Sequence, residues 1–381
     1  MYGTSGSISS ILGAYHMAAV SMRYSRFMPR VYNLAKSLGF EPGKMMPSRA
    51  FCSDESQGYP IILIAKHFGI FPFNHGLVGG IVATDRHAPH AHHGKDLVII
   101  QASHVGFDPE NERFGVYRRL QTEETCETSN CGKINAALDW YIREYNFARE
   151  NIFLFQEEGK LKVIIDNLLL HADRDEGLML KLDKIVNVDP QGNPVPELSK
   201  STAKVFTVIP EFQDYLNEFN WESKQPQAIE RQLHPDLFYF KRTISHHHEG
   251  RDHLEKNLIK VMPYVVTSKW PSLTAAQANS QVEFDRAFRT IVKEPAYRNK
   301  KILFISGLNV DISPQEGQVF PLTKFIPWAA YVQDEKGSHQ TWEQAELYEK
   351  LLEQPTTNPD QVDLETAIEI MEKAKEIQLP F

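Results

Sequence analysis

Four consecutive apolar residues, Leu97-Val98-Ile99-Ile100, read as a buried strand, and that strand constrains the fold more than any other stretch of the chain. His104-Val105-Gly106 follows where such a strand is expected to end, the place where ligands bind in parallel α/β sheets. Helical patterns lie on both sides of it. Phe27, Val31, Leu34 and Leu38 recur at i, i+4, i+7 and i+11, and Gly39 supplies a stop. Ile134, Ala137, Leu138, Tyr141, Ile142 and Tyr145 repeat at helical spacing, which puts Cys131-Gly132 at a helix start. There the dipole and the free N–H groups favour a thiolate. Ile61-Ile62-Leu63-Ile64-Ala65 is too brief to classify by period, and the glycines of 76–80 suggest close backbone packing or a pocket-lining loop. Alternating helices and short strands point to an α/β protein.

A chain of 381 residues suits one large or two ordinary domains. Beyond about residue 150 the character changes. Strand-like runs at 162–166, 205–209, 259–266 and 302–305 are separated by polar, proline-bearing segments, and a final amphipathic helix starts after Asp363, a suitable N-cap. The expected division is therefore 1–150 and 151–381, the second part being a further α/β domain. A net charge of −8 argues against nucleic-acid binding. No run approaches the roughly 18 apolar residues of a membrane span. The three cysteines, Cys52, Cys126 and Cys131, are too few for a secreted disulfide framework, so a reducing, cytoplasmic setting is expected. An acid-free, serine-rich start with Arg23 and Arg26 leaves an organelle stroma open.

One internal similarity stands out. Residues 97–111 lay without gaps on 302–316, matching Val105 to Val310 and Pro109 to Pro314 and setting His104 on Asn309. Either the second half is a degenerate copy of the first, or two buried strands share a composition. A thiol-free half cannot hold a Cys–His–Cys metal, so any second site would be dead.

Cys52, which opens Cys52-Ser53-Asp54-Glu55, together with His104 and Cys131 makes a donor set that zinc favours, with a fourth position left for water. Two plainer readings stand beside it. Cys126 could complete a closed, structural Cys3His site, and the cysteines could simply be buried without a ligand. Asp54 could cap a helix. His246-His247-His248-Glu249 with His253 fits no defined metal spacing and reads as a solvated junction. Gly76-x-x-Gly79-Gly80 lacks the Lys-Ser/Thr of a phosphate loop, and no G-x-S-x-G elbow is present.

The chain resembles the limiting-CO2-inducible protein B/C family, a β-carbonic-anhydrase-like group. The resemblance rests on the helix ending near Leu38-Gly39-Phe40, Cys52-Ser53-Asp54-Glu55, the glycines of 76–80, and His87-Ala88-Pro89 before Gly94-Lys95. Ser103-His104-Val105-Gly106 and the stretch from Gly115 to Gln121 leading to Cys131-Gly132 complete it, so that it covers about residues 27–140. It implies a β-carbonic-anhydrase-like fold with a mainly parallel sheet and a homodimer. It also implies Zn2+ on Cys52, His104 and Cys131, and reversible hydration of CO2 to bicarbonate. Asp54 would gate and orient the attacking group, with Val105, Gly79 and Gly80 lining an apolar slot for CO2. His87, His90, His92 and His93 are candidate proton carriers.

Two positions depart from the pattern. Ser56 stands where β-carbonic anhydrases carry the arginine that pairs with the aspartate, so Arg49 is the first candidate for that role, with Arg118 and Arg86 behind it. Lys133 replaces a residue that is usually small. A catalytically silent zinc-binding member, or a hydrolase of carbonyl sulfide or carbon disulfide, remain the other readings.

Overall fold

The computed structural model describes residues 17, 20–77, 79–82, 96–118, 127–171, 174–218, 223–244, 251–318, 321–376 and 378. They form two compact units: Ala14–Cys131 with Asn279–Phe381, and Gly132–Ala278.

The first unit is built on an eight-stranded sheet. Its strands run in the order Met22–Arg23, Leu322–Gln333, Ile302–Ile312, Asp96–Asp108, Met45–Ala50 and Phe73–Asn74, with two short strands added at the margins. The four strands from Ile302–Ile312 to Phe73–Asn74 are mutually parallel, whereas Leu322–Gln333 and Met22–Arg23 are antiparallel additions. Strands buried on both faces need apolar residues at successive positions, which is why 97–100 shows no alternation. Val98, Ile100 and Ala102 face one core together with Phe27 and Val31 of helix Tyr24–Ser37 and Ile64 of helix Gly58–Phe68. Leu97 and Ile99 face the other core, closed by Phe284, Ala287 and Ile291 of helix Pro271–Lys293. The helical spacing read from Phe27 to Leu38 is realised, and Gly39 ends that helix at φ +81°, a conformation that a side chain disfavours.

Three expectations change. The strand read at 97–100 runs from Asp96 to Asp108, so His104 lies within it rather than past its end. The reason is its neighbours: Ile302–Ile312 pairs with it as far as Phe107, while Met45–Ala50 stops opposite Gln101. Beyond Gln101 the strand leaves Met45–Ala50 behind and pairs instead, at Phe107 and Asp108, with the short strand Arg113–Phe114. A single cut near residue 150 does not follow the packing either, because Ile302–Ile312 and Leu322–Gln333 complete the sheet of the N-terminal segment. Finally, the run 259–266 is not a strand. Met262–Thr267 is a helix with Pro263 in its first turn, where a missing N–H is harmless.

The second unit carries a five-stranded antiparallel sheet in the order Leu198–Ser199, Ala203–Thr207, Lys160–Asp166, Ile152–Glu157 and Gln227–Ala228. Helices Gly132–Glu150 and Arg251–Leu258 are joined by a buried bond from Tyr141 Oη to Glu255 Oε1 at 2.6 Å. Among the described residues no helix is long and apolar enough to cross a membrane.

Candidate metal centre

The end of strand Met45–Ala50 opens the site. Phe51 and Cys52 continue the chain past its last pairing, and Asp54 turns it into the short 3-10 helix Glu55–Gln57 by accepting from Ser56 N at 3.2 Å. Capping, raised as the plain reading of Asp54, is thus one of its roles. Cys52 is buried, and Gly79 N donates to its Sγ at 3.2 Å. Asn279 Nδ2 holds the Gly79 carbonyl at 3.1 Å and Ser103 Oγ at 2.8 Å, fixing that backbone against the sheet. Gly80 lies so close to strand Asp96–Asp108 that a Cβ there would sit 2.4 Å from Ala102 O. The glycines of 76–80 are accordingly a close-packing device that delivers an N–H to a sulfur.

Cys131 is the last residue of the unit's first segment and precedes helix Gly132–Glu150. Its Sγ is 3.8 Å from that of Cys52. Ligand atoms of Cys52, His104 and Cys131 all lie within 4.8 Å of one another, and all three residues are buried. Two sulfurs at about 2.3 Å from a tetrahedral ion lie about 3.8 Å apart, so the thiol spacing fits a metal without rearrangement. His104 Nε2 is buried with no hydrogen-bond partner, which is costly unless a ligand uses its lone pair. The residues present therefore fit a metal ion, and among the described residues no other such cluster of His, Cys, Asp and Glu occurs.

The two thiols and the imidazole shift one another strongly. The bond from Cys131, opposed by burial and aided by His104, holds the Cys52 thiol far below its ordinary value. The same pairing, with burial, pushes Cys131 up. Burial pulls His104 down but is outweighed by the Cys131 charge and the Asp311 bond, leaving it well above the ordinary imidazole value. Burial raises Asp54, partly offset by the His104 charge.

The remaining candidates are placed as follows. Asn130 Nδ2 lies 3.4 Å from Asp54 Oδ1 and 3.2 Å from Ser56 Oγ. Arg49, half-buried on strand Met45–Ala50, forms no ion pair among the described residues, and desolvation lowers its pKa. Arg118 is committed to Glu110 at 2.6 Å. Val105 is fully buried, and strand alternation turns its side chain to the face opposite His104. Arg86, His87, His90, His92, His93, Cys126, His246, His247 and His248 lie outside the described residues.

Sequence reasoning missed a second layer. Asp311 Oδ2 is 2.8 Å from His104 Nδ1 and accepts from Ser56 Oγ at 2.9 Å and Gln57 Nε2 at 2.7 Å. Asn309 Nδ2 donates to Gln57 Oε1 at 2.7 Å, and Tyr24 Oη donates to Asn309 Oδ1 at 2.8 Å. The signal was present as two polar residues, Asn309 and Asp311, at alternate positions of an apolar strand.

Fold and site together define an α/β protein whose sheet, parallel at its centre, presents a buried Cys–His–Cys cluster beside the carboxyl end of a strand. Among solved structures the chain is similar to PtLCIB4, a homolog of the limiting CO2-inducible protein LCIB, at 11% identity and TM-score 0.50, covering 84% of this chain and 94% of that one. It is also similar to LCIB itself at 12% identity and TM-score 0.44, covering 85% and 94%. The resemblance read from residues 27–140 therefore holds at the level of the fold, and extends over most of the chain. No family model and no curated protein sequence matches the chain.

Proposed function

We propose that this protein is a zinc-dependent carbonic anhydrase that interconverts CO2 and bicarbonate. The observation that carries the reading is the buried convergence of Cys52, His104 and Cys131, with an imidazole nitrogen left without a partner. These three residues would hold Zn2+, leaving one position of a tetrahedral set open. When bound, zinc supplies the Lewis acidity that brings the ionisation of a water into the neutral range.

The chain's own groups do the rest. Asp54, two residues past Cys52, would accept a hydrogen bond from the attacking oxygen and aim its lone pair at the carbon of CO2. A raised carboxyl needs a positive neighbour to stay ionised, and Arg49, with no carboxylate partner among the described residues, is the candidate. The backbone of Gly79 and Gly80, fixed beside Cys52 Sγ, would form one wall of the CO2 slot, and Val105 would contribute through its main chain. A homodimer follows from the family resemblance and is readable by light scattering.

A second reading is a catalytically silent zinc protein that binds CO2 or bicarbonate. It is favoured by Ser56, whose buried hydroxyl is turned to Asp311 where an arginine would serve the aspartate. Stopped-flow CO2 hydration on zinc-loaded protein separates the two, with metal content measured on each sample. The enzyme reading expects activity that Asp54→Ala and Arg49→Gln reduce while zinc is retained, and that Cys52→Ser abolishes together with zinc. Stoichiometric zinc without activity refutes the enzyme, and full zinc in Cys52→Ser refutes the ligand set. Turnover of carbonyl sulfide or carbon disulfide in place of CO2 would reassign the substrate.

A further inference from the structure

The thiol-free half of the chain supplies the group that orients the imidazole. Asp311 lies on strand Ile302–Ile312, which runs parallel to the His104 strand with Asn309 opposite His104 and Asp311 opposite Gly106. Residues of like parity share a face, so Asn309, Asp311 and His104 project to the same side. The Asp311 carboxylate is fully buried and faces Ser56, Gln57 and His104 Nδ1 through Oδ2, and Thr323 Oγ1 at 3.1 Å through Oδ1. Oδ2 already accepts from Ser56 and Gln57, so it is placed as an acceptor and the imidazole presents an N–H to it at Nδ1.

Gln57 strengthens that assignment. Its amide oxygen takes the Asn309 Nδ2 hydrogen, which turns its own NH2 toward Asp311. Reversing the amide would set an oxygen against the carboxylate and an NH2 against an NH2. Asn309 is fixed in turn by Tyr24 Oη. The network is buried and draws on five separate segments, those of Tyr24, Ser56–Gln57, His104, Asn309–Asp311 and Thr323, so the ring has one orientation rather than two.

We propose that Asp311 is the positioning residue of the metal site: it holds His104 with Nδ1–H donated to its carboxylate and Nε2 left as the ligand nitrogen facing Cys52 and Cys131. This inference rests on the metal reading above and deepens it. A carboxylate behind a ligating histidine fixes ring orientation and raises ligand basicity, and removing such a partner typically lowers metal affinity about 10–100-fold. The strand that matches the His104 strand in sequence is thus a support for the site on that strand.

The experiment is zinc competition titration of the full chain, together with NMR of the 15N-histidine-labelled, zinc-loaded protein. Wild type should bind one zinc and show a slowly exchanging His104 Nδ1–H signal. Asp311→Asn, which keeps shape, should bind zinc about 10–100-fold more weakly and lose or shift that signal. Thr323→Val removes only the Oδ1 anchor, touches neither His104 nor a thiol, and should weaken zinc by a smaller factor with a partial shift of the same signal. Should Asp311→Asn fail to fold, Thr323→Val with wild-type affinity and an unmoved signal overturns the role of Asp311. A folded Asp311→Asn with unchanged affinity and signal does the same. Wild type that binds no zinc overturns instead the metal reading beneath it.

Discussion

His67 gives the unit of Ala14–Cys131 and Asn279–Phe381 a stability that fails in mild acid. It sits in the last turn of helix Gly58–Phe68, buried, and burial with the Lys66 charge lowers its pKa from 6.5 to about 4. Asn358 Nδ2 lies 3.3 Å from His67 Nδ1 and donates to the His67 carbonyl at 3.0 Å, while Val362 N donates to Lys66 O at 2.8 Å. The segment around 358–362 is thereby strapped across the helix end through a ring nitrogen that accepts only when neutral. Protonation would set N–H against N–H in a dry space. Because the folded value lies below the unfolded one, the unfolded chain binds the proton first as pH falls. Stability from this group is complete above about pH 6.5, declines through the window from 6.5 to about 4, and is gone below it. The gap corresponds to about 3 kcal/mol at most. Hydrogen exchange of the Val362 amide, corrected for the intrinsic pH dependence, reads it directly. Wild type should lose up to about 3 kcal/mol of protection between pH 7 and pH 4, whereas His67→Gln, which cannot titrate, should lose far less. Parallel curves for the two proteins would refute the argument.

Two further substitutions test the packing around the site. Gly80→Ala combines a left-handed backbone at φ +78° with a Cβ 2.4 Å from Ala102 O, so a loss of about 2 kcal/mol or more is expected in thermal unfolding. Zinc retention should fall with it, since the adjacent Gly79 N–H reaches Cys52 Sγ; unchanged melting and unchanged metal content would contradict the close-packing account. Tyr24→Phe keeps the ring but removes the donor to Asn309 Oδ1, and urea unfolding should show a loss of about 1–3 kcal/mol, as for a buried acceptor left unmade.

What was legible in the sequence was local. The Phe27–Leu38 spacing with Gly39 behind it sufficed for a helix and its end, because amphipathic period and a left-handed glycine are short-range properties. Cys52, His104 and Cys131 could be grouped from the motifs around them, and the structure brings them together. The run 61–65 was ambiguous since helix Gly58–Phe68 carries apolar residues around much of its circumference and so shows little period. The run 259–266 has strand-like composition, yet Pro263 suits a first helical turn and Met262, Val265 and Val266 bury one side. The length of the His104 strand, the joining of 302–333 to its sheet and the support from Asp311 depend on pairing across some 200 residues, and no local pattern encodes a partner at that distance.

The gapless match of 97–111 to 302–316 can now be read physically. It coincides with the parallel register of the two strands: Leu97 lies opposite Ile302, His104 opposite Asn309 and Val105 opposite Val310. Neighbouring parallel strands covered on both faces meet the same two cores at the same level, so they converge on similar apolar residues whether or not one was copied from the other. Similarity of the apolar positions therefore cannot distinguish duplication from adjacency. The polar positions carry more information, because a buried polar group is tolerated only where a partner meets it. His104 and Asp311 differ from their opposite numbers, Asn309 and Gly106, and it is these unlike residues that bond across the pair at 2.8 Å. A degenerate second site would leave its polar remnants without a task. Asn309 and Asp311 instead bond to Gln57 and His104, so the two strands are joined by complementary polar groups, and a chain cut between them would separate the His104 imidazole from the carboxylate bonded to it.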